Sequence, residues 1–260
     1  MAHYFAYGEI EMENATKTYE VIEVCMLAGK IMMESGAETY RVEDTMSRIA
    51  SSFGIHNSHS FVTPTGIIFS IDGDDPSKLY RISKRSTDLK KVTDVNSISR
   101  KISSGELTVK QALLELRKIE KESLAYPVWL QIFAAFIASG CFLIMFEGHW
   151  HDFIPACVAG GIGFACLLYL HELLEIKFFA EFISSLLIGI FAMVFVNTGL
   201  GHEIDKIIIG SVMPLVPGLL ITNAVRDLIA GHLVSGISKG AEAFLTAFAI
   251  GTGIAVVFSF

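Results

Sequence analysis

The chain has 260 residues, 52% of them hydrophobic and 18% charged, with a mean hydropathy of +0.53. That apolar share exceeds the roughly 45–50% of a soluble domain, and no basic cluster is joined to a nucleic-acid motif, so nucleic acid is excluded as an expected partner. The formal charge of −7 averages two unlike halves, since 16 of the 20 Lys+Arg and 18 of the 27 Asp+Glu fall in residues 1–125.

Residues 1–20 carry several acids and no apolar core, so no signal peptide is expected and the front half is placed on the cytosolic side. Residues 13–34 predict an amphipathic helix, with Tyr19, Ile22, Cys25, Ala28 and Ile31 spaced by three. In "SGAETYRVEDTMSRIASSFG", 35–54, Ser35 and Glu38 have capping-box spacing and predict a new helix that stops at Gly54. Glu38, Arg41 and Thr45 share one edge of it, close enough for a Glu38–Arg41 pair. "HSFVTPTGIIFSI", 59–71, is strand-like and kinked at Pro64; "DGDDP", 72–76, reads as a turn, and 78–86 returns as a second strand. Helices around 94–102 and 108–123 complete an α+β cytosolic domain, 1–125.

Five uncharged runs follow, 123–146, 153–170, 182–201, 207–225 and 243–260, each of at least 18 residues. A span needs roughly 20 residues, and five such runs leave too few polar residues to cover them in water. The expected fold is an α-helical integral membrane protein with about five transmembrane helices, preceded by the α+β cytosolic domain. The spans are placed at about 126–146, 153–170, 178–201, 207–225 and 240–260 of a transmembrane domain, 126–260. Lys110, Arg117, Lys118 and Lys121 precede the first span and 147–152 has no Lys or Arg, so the N-terminus is expected inside and the C-terminus outside.

The fourth span is interrupted. Pro214 and the pair Pro217-Gly218 break it, and 214–233 is expected to be either broken or re-entrant, as substrate-site helices of transporters often are. Thr222, Asn223, Arg226 and Asp227 follow within one turn or so. Two readings stand: Arg226 holds a substrate carboxylate in bidentate fashion, or it marks the cytosolic end of the span and binds lipid phosphate or pairs locally. Under the first, Asn223 and Thr222 orient the substrate, and Asp227 balances Arg226 when the site is empty or binds the amino group of an amino-acid substrate. Glu242 is either a proton site or a solvated helix end.

Other features read more plainly. "HELLE", 171–175, fails the zinc signature at Glu175 and is expected to cap a span; "HWH", 149–151, is expected to be solvated. Asp72, Asp74 and Asp75 fit a turn better than a calcium loop. Cys25, Cys141, Cys157 and Cys166 form no CxxC pair and read as packed thiols. His56 and His59, with Ser51, Ser58 or Asp44, admit a hydrolytic site, though without a nucleophile elbow a structural role is favoured.

"SGAETYRVEDTM", "FVTPTGIIFS" and "PGLLITNAVRDLIAGHLVSGISKGAEAF", in this order, resemble the threonine/serine exporter (ThrE) family in its N-terminal, YjjP-like component. The resemblance implies a transporter rather than an enzyme, in a bacterial-type inner membrane, exporting threonine, serine or a dicarboxylate such as succinate. It also implies the larger subunit of a two-component exporter, whose partner is a smaller, separately encoded membrane protein. No cofactor or metal is expected, and the number of subunits stays open, a higher oligomer included. Pro217 and Gly218 would allow rearrangement; Glu38, Tyr40 and Arg41 would gate the pore from the cytosolic side. A membrane-anchored hydrolase or a regulatory sensor is the alternative.

Overall fold

A computed structural model describes residues 2–71, 77–122, 126–173 and 177–259, with side chains from residue 18 onward except at Lys177. The expected turn at 72–76 and Glu175 of "HELLE" lie outside the described residues. The chain forms two units: Met1–Ala125 with Thr222–Lys239, and Tyr126–Ile221 with Gly240–Phe260. The first therefore takes in a segment that the boundary at 125/126 leaves in the transmembrane domain.

In the first unit, α1 (Ala2–Glu34) is longer than its periodicity suggested. Val21, Val24, Cys25, Ala28, Ile31 and Met32 are buried along one stripe of it, the face a 3.6-residue period turns inward. Its end is set by Gly36, at φ 86°, with Ala37 N–H donating to Met32 O at 3.0 Å and Gly36 N–H to Met33 O at 3.3 Å. Ser35 thus belongs to the C-terminal turn of α1. The expected capping box is absent, because α2 (Thr39–Ser52) starts only after Glu38, whose side chain makes no capping bond.

Val42, Met46 and Ile49 on α2 pack into the same core as α1. Next comes a three-stranded antiparallel sheet, β1 (Ser58–Thr63), β2 (Gly66–Ile71) and β3 (Lys78–Arg81), in the order β1-β2-β3. The stretch 59–71 is not one kinked element but a hairpin, with Thr63 opposite Gly66. Pro64 fits the turn because its fixed φ suits it and its missing N–H is not needed there. Ile67, Phe69 and Ile71 alternate inward on β2. Beyond it, α3 (Leu89–Ser103) is capped by Asp88, and α4 (Val109–Lys121) by a Thr108–Gln111 capping box.

The second unit holds α5 (Val128–Met145), α6 (Phe153–Leu173), α7 (Lys177–Asn197) and α8 (Ile204–Val212). Two further helices are shared with the first unit, α9 (Gly218–Ile229) and α10 (Leu233–Val257). Among the described residues four helices are long and apolar enough to cross a membrane: Val128–Met145, Trp150–Leu173, Phe178–Asn197 and Leu233–Val257. The expected fourth span is not straight: Ile204–Leu215 and Gly218–Ile229 meet at 64°. Pro214 lies in a short 3-10 turn, Met213–Leu215, and Pro217 stands just before α9.

The core of this unit joins Leu143, Ala156, Ile188, Ile207 and Val212. Small residues let its helices approach closely. A Cβ on Gly160 would lie 2.0 Å from Ser139 Oγ, and one on Gly210 would lie 2.9 Å from the backbone of both Leu143 and Ser139. His149, Trp150 and His151 of the "HWH" link are exposed, as expected, while the residue after them is not. Asp152, fully buried, accepts from His202 N–H at 2.7 Å and Glu203 N–H at 3.2 Å, just ahead of α8. Cys25 and Cys157 are buried, but Cys141 is exposed, contrary to the expectation of packed thiols.

Candidate functional site

The polar residues of 222–239 meet the turn between α1 and α2, all within the first unit. Gly231, at φ 88°, ends α9, with His232 N–H donating to Asp227 O at 2.9 Å, and α10 returns beside it. A Cβ on Gly236 would lie 3.0 Å from Ala224 O, so only glycine lets the two helices come this close. This hairpin is inside-out by the standard of a soluble protein. It buries Asn223, Asp227, Ser235 and Lys239 and exposes Val225, Ile229, Leu233, Val234 and Ile237. An outward apolar face is what lipid or a membrane partner accepts.

At its centre Asp227 is fully buried and Lys239 nearly so, with Lys239 Nζ 2.7 Å from Asp227 Oδ2. Asp227 also accepts from Thr39 N–H and Thr39 Oγ1, each at 2.9 Å. The ammonium donates further to Thr39 Oγ1 at 3.3 Å and Ala37 O at 3.4 Å, which uses its three hydrogens. Asp227 therefore does from a distant helix what Glu38 fails to do locally: it places negative charge on the first N–H of α2. Asn223 Nδ2 donates to Gly36 O at 2.9 Å, and Ser235 Oγ to Val62 O at 3.1 Å on the edge of β1.

Arg226 turns the other way. Its side chain is 54% exposed and reaches Glu38 Oε1 at 2.6 Å, while Arg41 Nε lies 3.2 Å from Glu38 Oε2. One carboxylate thus holds two guanidinium groups. The expected Glu38–Arg41 pair is present, but the expected pairing of Asp227 with Arg226 is not, because adjacent residues leave a helix about 100° apart. Thr222, one turn before Arg226, is exposed on the same side, and Tyr40 is exposed on α2. Glu43, on the next turn of α2, accepts from Val62 N–H at 2.8 Å and lies 3.8 Å from His232. Burial raises its carboxyl above the usual 4.5; the Val62 N–H and His232 oppose that rise, and the Asp227 charge adds to it.

The family model described as "Putative threonine/serine exporter" matches residues 23–260. The chain belongs to this exporter family. It is 25% identical over 253 residues to an Escherichia coli protein and 23% identical over 249 residues to a Klebsiella aerogenes protein, each named "Probable succinate transporter subunit YjjP". Those alignments cover 90% of this chain in both cases, and 92% and 91% of the relatives. It is also 21% identical over 254 residues to the Corynebacterium glutamicum "Threonine/serine exporter", covering 94% of this chain and 52% of that longer one. No solved structure matches. Family and helices together make this a multi-pass membrane protein.

Elsewhere in this exporter-family chain the predicted residues scatter. Gly218 opens α9, and a Cβ placed on it would find nothing within 4 Å, so the break belongs to Pro217 rather than to a steric need for glycine. Glu242 is half-buried on α10 in the second unit. Asp44 bonds Arg48 rather than a histidine, and His56 is exposed. Lys239, Thr39 and Asp152 were missed by sequence reasoning. For Lys239 a signal existed: Ser235 and Lys239 share a face at i,i+4, and Gly231 marks a helix end that folds this face back onto Asp227.

Proposed function

We infer that this exporter-family chain is the larger subunit of a proton-driven secondary exporter of small carboxylate metabolites, either threonine/serine-type amino acids or a dicarboxylate such as succinate. It works with a smaller, separately encoded membrane subunit in a bacterial-type inner membrane, with its N-terminus cytosolic. The names of its relatives support the substrate class, and the basic residues ahead of α5 support the orientation.

The observation that carries the substrate reading is the Glu38 carboxylate shared between Arg226 and Arg41. Glu38 stands where a substrate carboxylate would bind, so a ligand competes for guanidinium groups already aimed at a carboxylate. Thr222, on the exposed side of α9, adds a neutral contact. Asn223 and Asp227 hold the α1–α2 turn in this state and reach substrate only if the turn moves. The break at Pro217 gives α9 freedom to tilt.

Reconstitution with the partner in liposomes, using radiolabelled serine, threonine and succinate in parallel, tests this reading. Arg226→Gln is expected to abolish flux of the transported substrate while the protein still inserts. Undiminished flux would remove Arg226 from the site.

A further inference from the structure

The second unit contains a buried acid that the carboxylate site does not use. Glu181, on the first turns of α7, is 3% exposed. One of its oxygens, Oε1, lies 3.3 Å from His171 Nε2 near the end of α6, and His171 is 36% exposed at its side chain. The other oxygen, Oε2, is buried with no hydrogen-bond partner. Ser184, three residues on along the same face of α7, has its hydroxyl buried in the same condition, as does Thr246 on α10.

The helices that carry these groups, α7 and α10, approach closely. A Cβ on Gly253 of α10 would lie 2.4 Å from Phe182 O and 2.2 Å from Ser185 Oγ, and one on Gly189 would lie 2.8 Å from Val257. α10 therefore runs parallel to α7 in close contact. Thr246, about two turns before Gly253, comes level with the start of α7, about one turn before Glu181. Buried polar atoms left without partners are rare and costly, and inside a membrane helix they mark ion or proton pathways.

We propose that Glu181 is the proton-carrying carboxyl of the membrane-spanning unit, loaded and unloaded through His171. The proton is held by one of two atoms at a time. In one state it bonds a Glu181 oxygen and His171 Nε2 accepts from it; in the other the O–H bond breaks, the N–H bond forms at Nε2, and imidazolium faces carboxylate. Water reaches His171 because its side chain is partly exposed. The far oxygen, Oε2, is buried without a partner, so a proton taken up through His171 leaves by that oxygen once α7 and α10 shift. A proton needs no cavity, which suits a group packed this tightly.

The other charged groups on these helices are Glu172 on α6, exposed, Glu242 on α10, half-buried, Lys239 on α10, paired with Asp227 in the first unit, and Lys177, four residues before Glu181 on α7, whose side chain lies outside the described residues. From α8 come Asp205 and Lys206, beyond the far end of α7 and about 24 Å along it from Glu181. Lys206 is bonded to Phe146 O at 2.7 Å. Among the described side chains, His171 is the basic group paired with Glu181.

This inference rests on the proton-driven exporter reading, and two measurements separate their failures. Infrared difference spectra of the full chain in lipid, taken across pH, are expected to show a protonated-carboxyl band that is lost in Glu181→Gln and shifted in midpoint in His171→Gln. An unchanged band in Glu181→Gln overturns the assignment. In liposomes with the partner, Glu181→Gln is expected to keep substrate exchange, which shows that it folds, and to lose accumulation driven by a pH gradient. Retained pH-driven accumulation in that variant also overturns it. If wild-type vesicles move none of the three substrates, the exporter reading falls and the infrared band alone decides Glu181.

Discussion

Asp227 is a full charge placed where water does not reach, and its neighbours decide what that costs. Removing a charge from water is expensive, and a pair repays it only when every remaining donor and acceptor is used. Here Thr39 and Lys239 satisfy both carboxylate oxygens, and Ala37 O takes the last ammonium hydrogen. Breaking one side leaves an uncompensated charge. Asp227→Asn is expected to cost about 3–5 kcal/mol, read as a lower unfolding midpoint in detergent, and adding Lys239→Met should recover most of it. A loss under ~1 kcal/mol would mean the pair is hydrated. Of this cluster, the Glu38–Arg41 pair was legible because three residues along a helix meet. The Glu38–Arg226 pair spans 188 positions, and no local rule reaches that far.

At the scale of elements, close approach does what hydrophobic burial does in water. Helices in lipid gain little from hiding apolar surface, so packing of small residues holds them. α8 has only 9 residues and lies against α5 through Gly210, where a Cβ would meet backbone at 2.9 Å. Gly210→Leu should therefore destabilise the second unit by about 1–3 kcal/mol or more, seen as a lower melting temperature in detergent. Gly218→Ala, which meets nothing within 4 Å, should leave that temperature unchanged. Equal effects of the two would refute the distinction. That the chain carries four to five helices able to span a membrane was legible from hydropathy, because length and apolar composition decide it. The break at Pro214–Gly218 was legible as well; the direction of its bend, the hairpin at Pro64 and the two-helix path of 222–239 were not, since a proline announces a break without saying which way the chain leaves.

For the whole molecule, the consequential feature is the route of the chain between the two units. It leaves the first unit after residue 125, returns at Thr222 and leaves again after Lys239. Family membership and alternating charge could be read along the sequence; this return could not, because it depends on contacts between residues nearly 190 positions apart. The soluble-looking front half is thus not a detachable cassette. A fragment ending at 125 lacks the residues that bond Thr39 N–H, Gly36 O and Val62 O. Expressed alone it should be cut rapidly by protease around 35–63, and the same fragment carrying 222–239 on a flexible linker should resist; equal cutting would contradict this. Any exchange of domains between relatives must then carry two stretches of gene together. The same constraint ties inheritance of the motif between α1 and α2 to that of the arginine helix, so neither can drift far without the other.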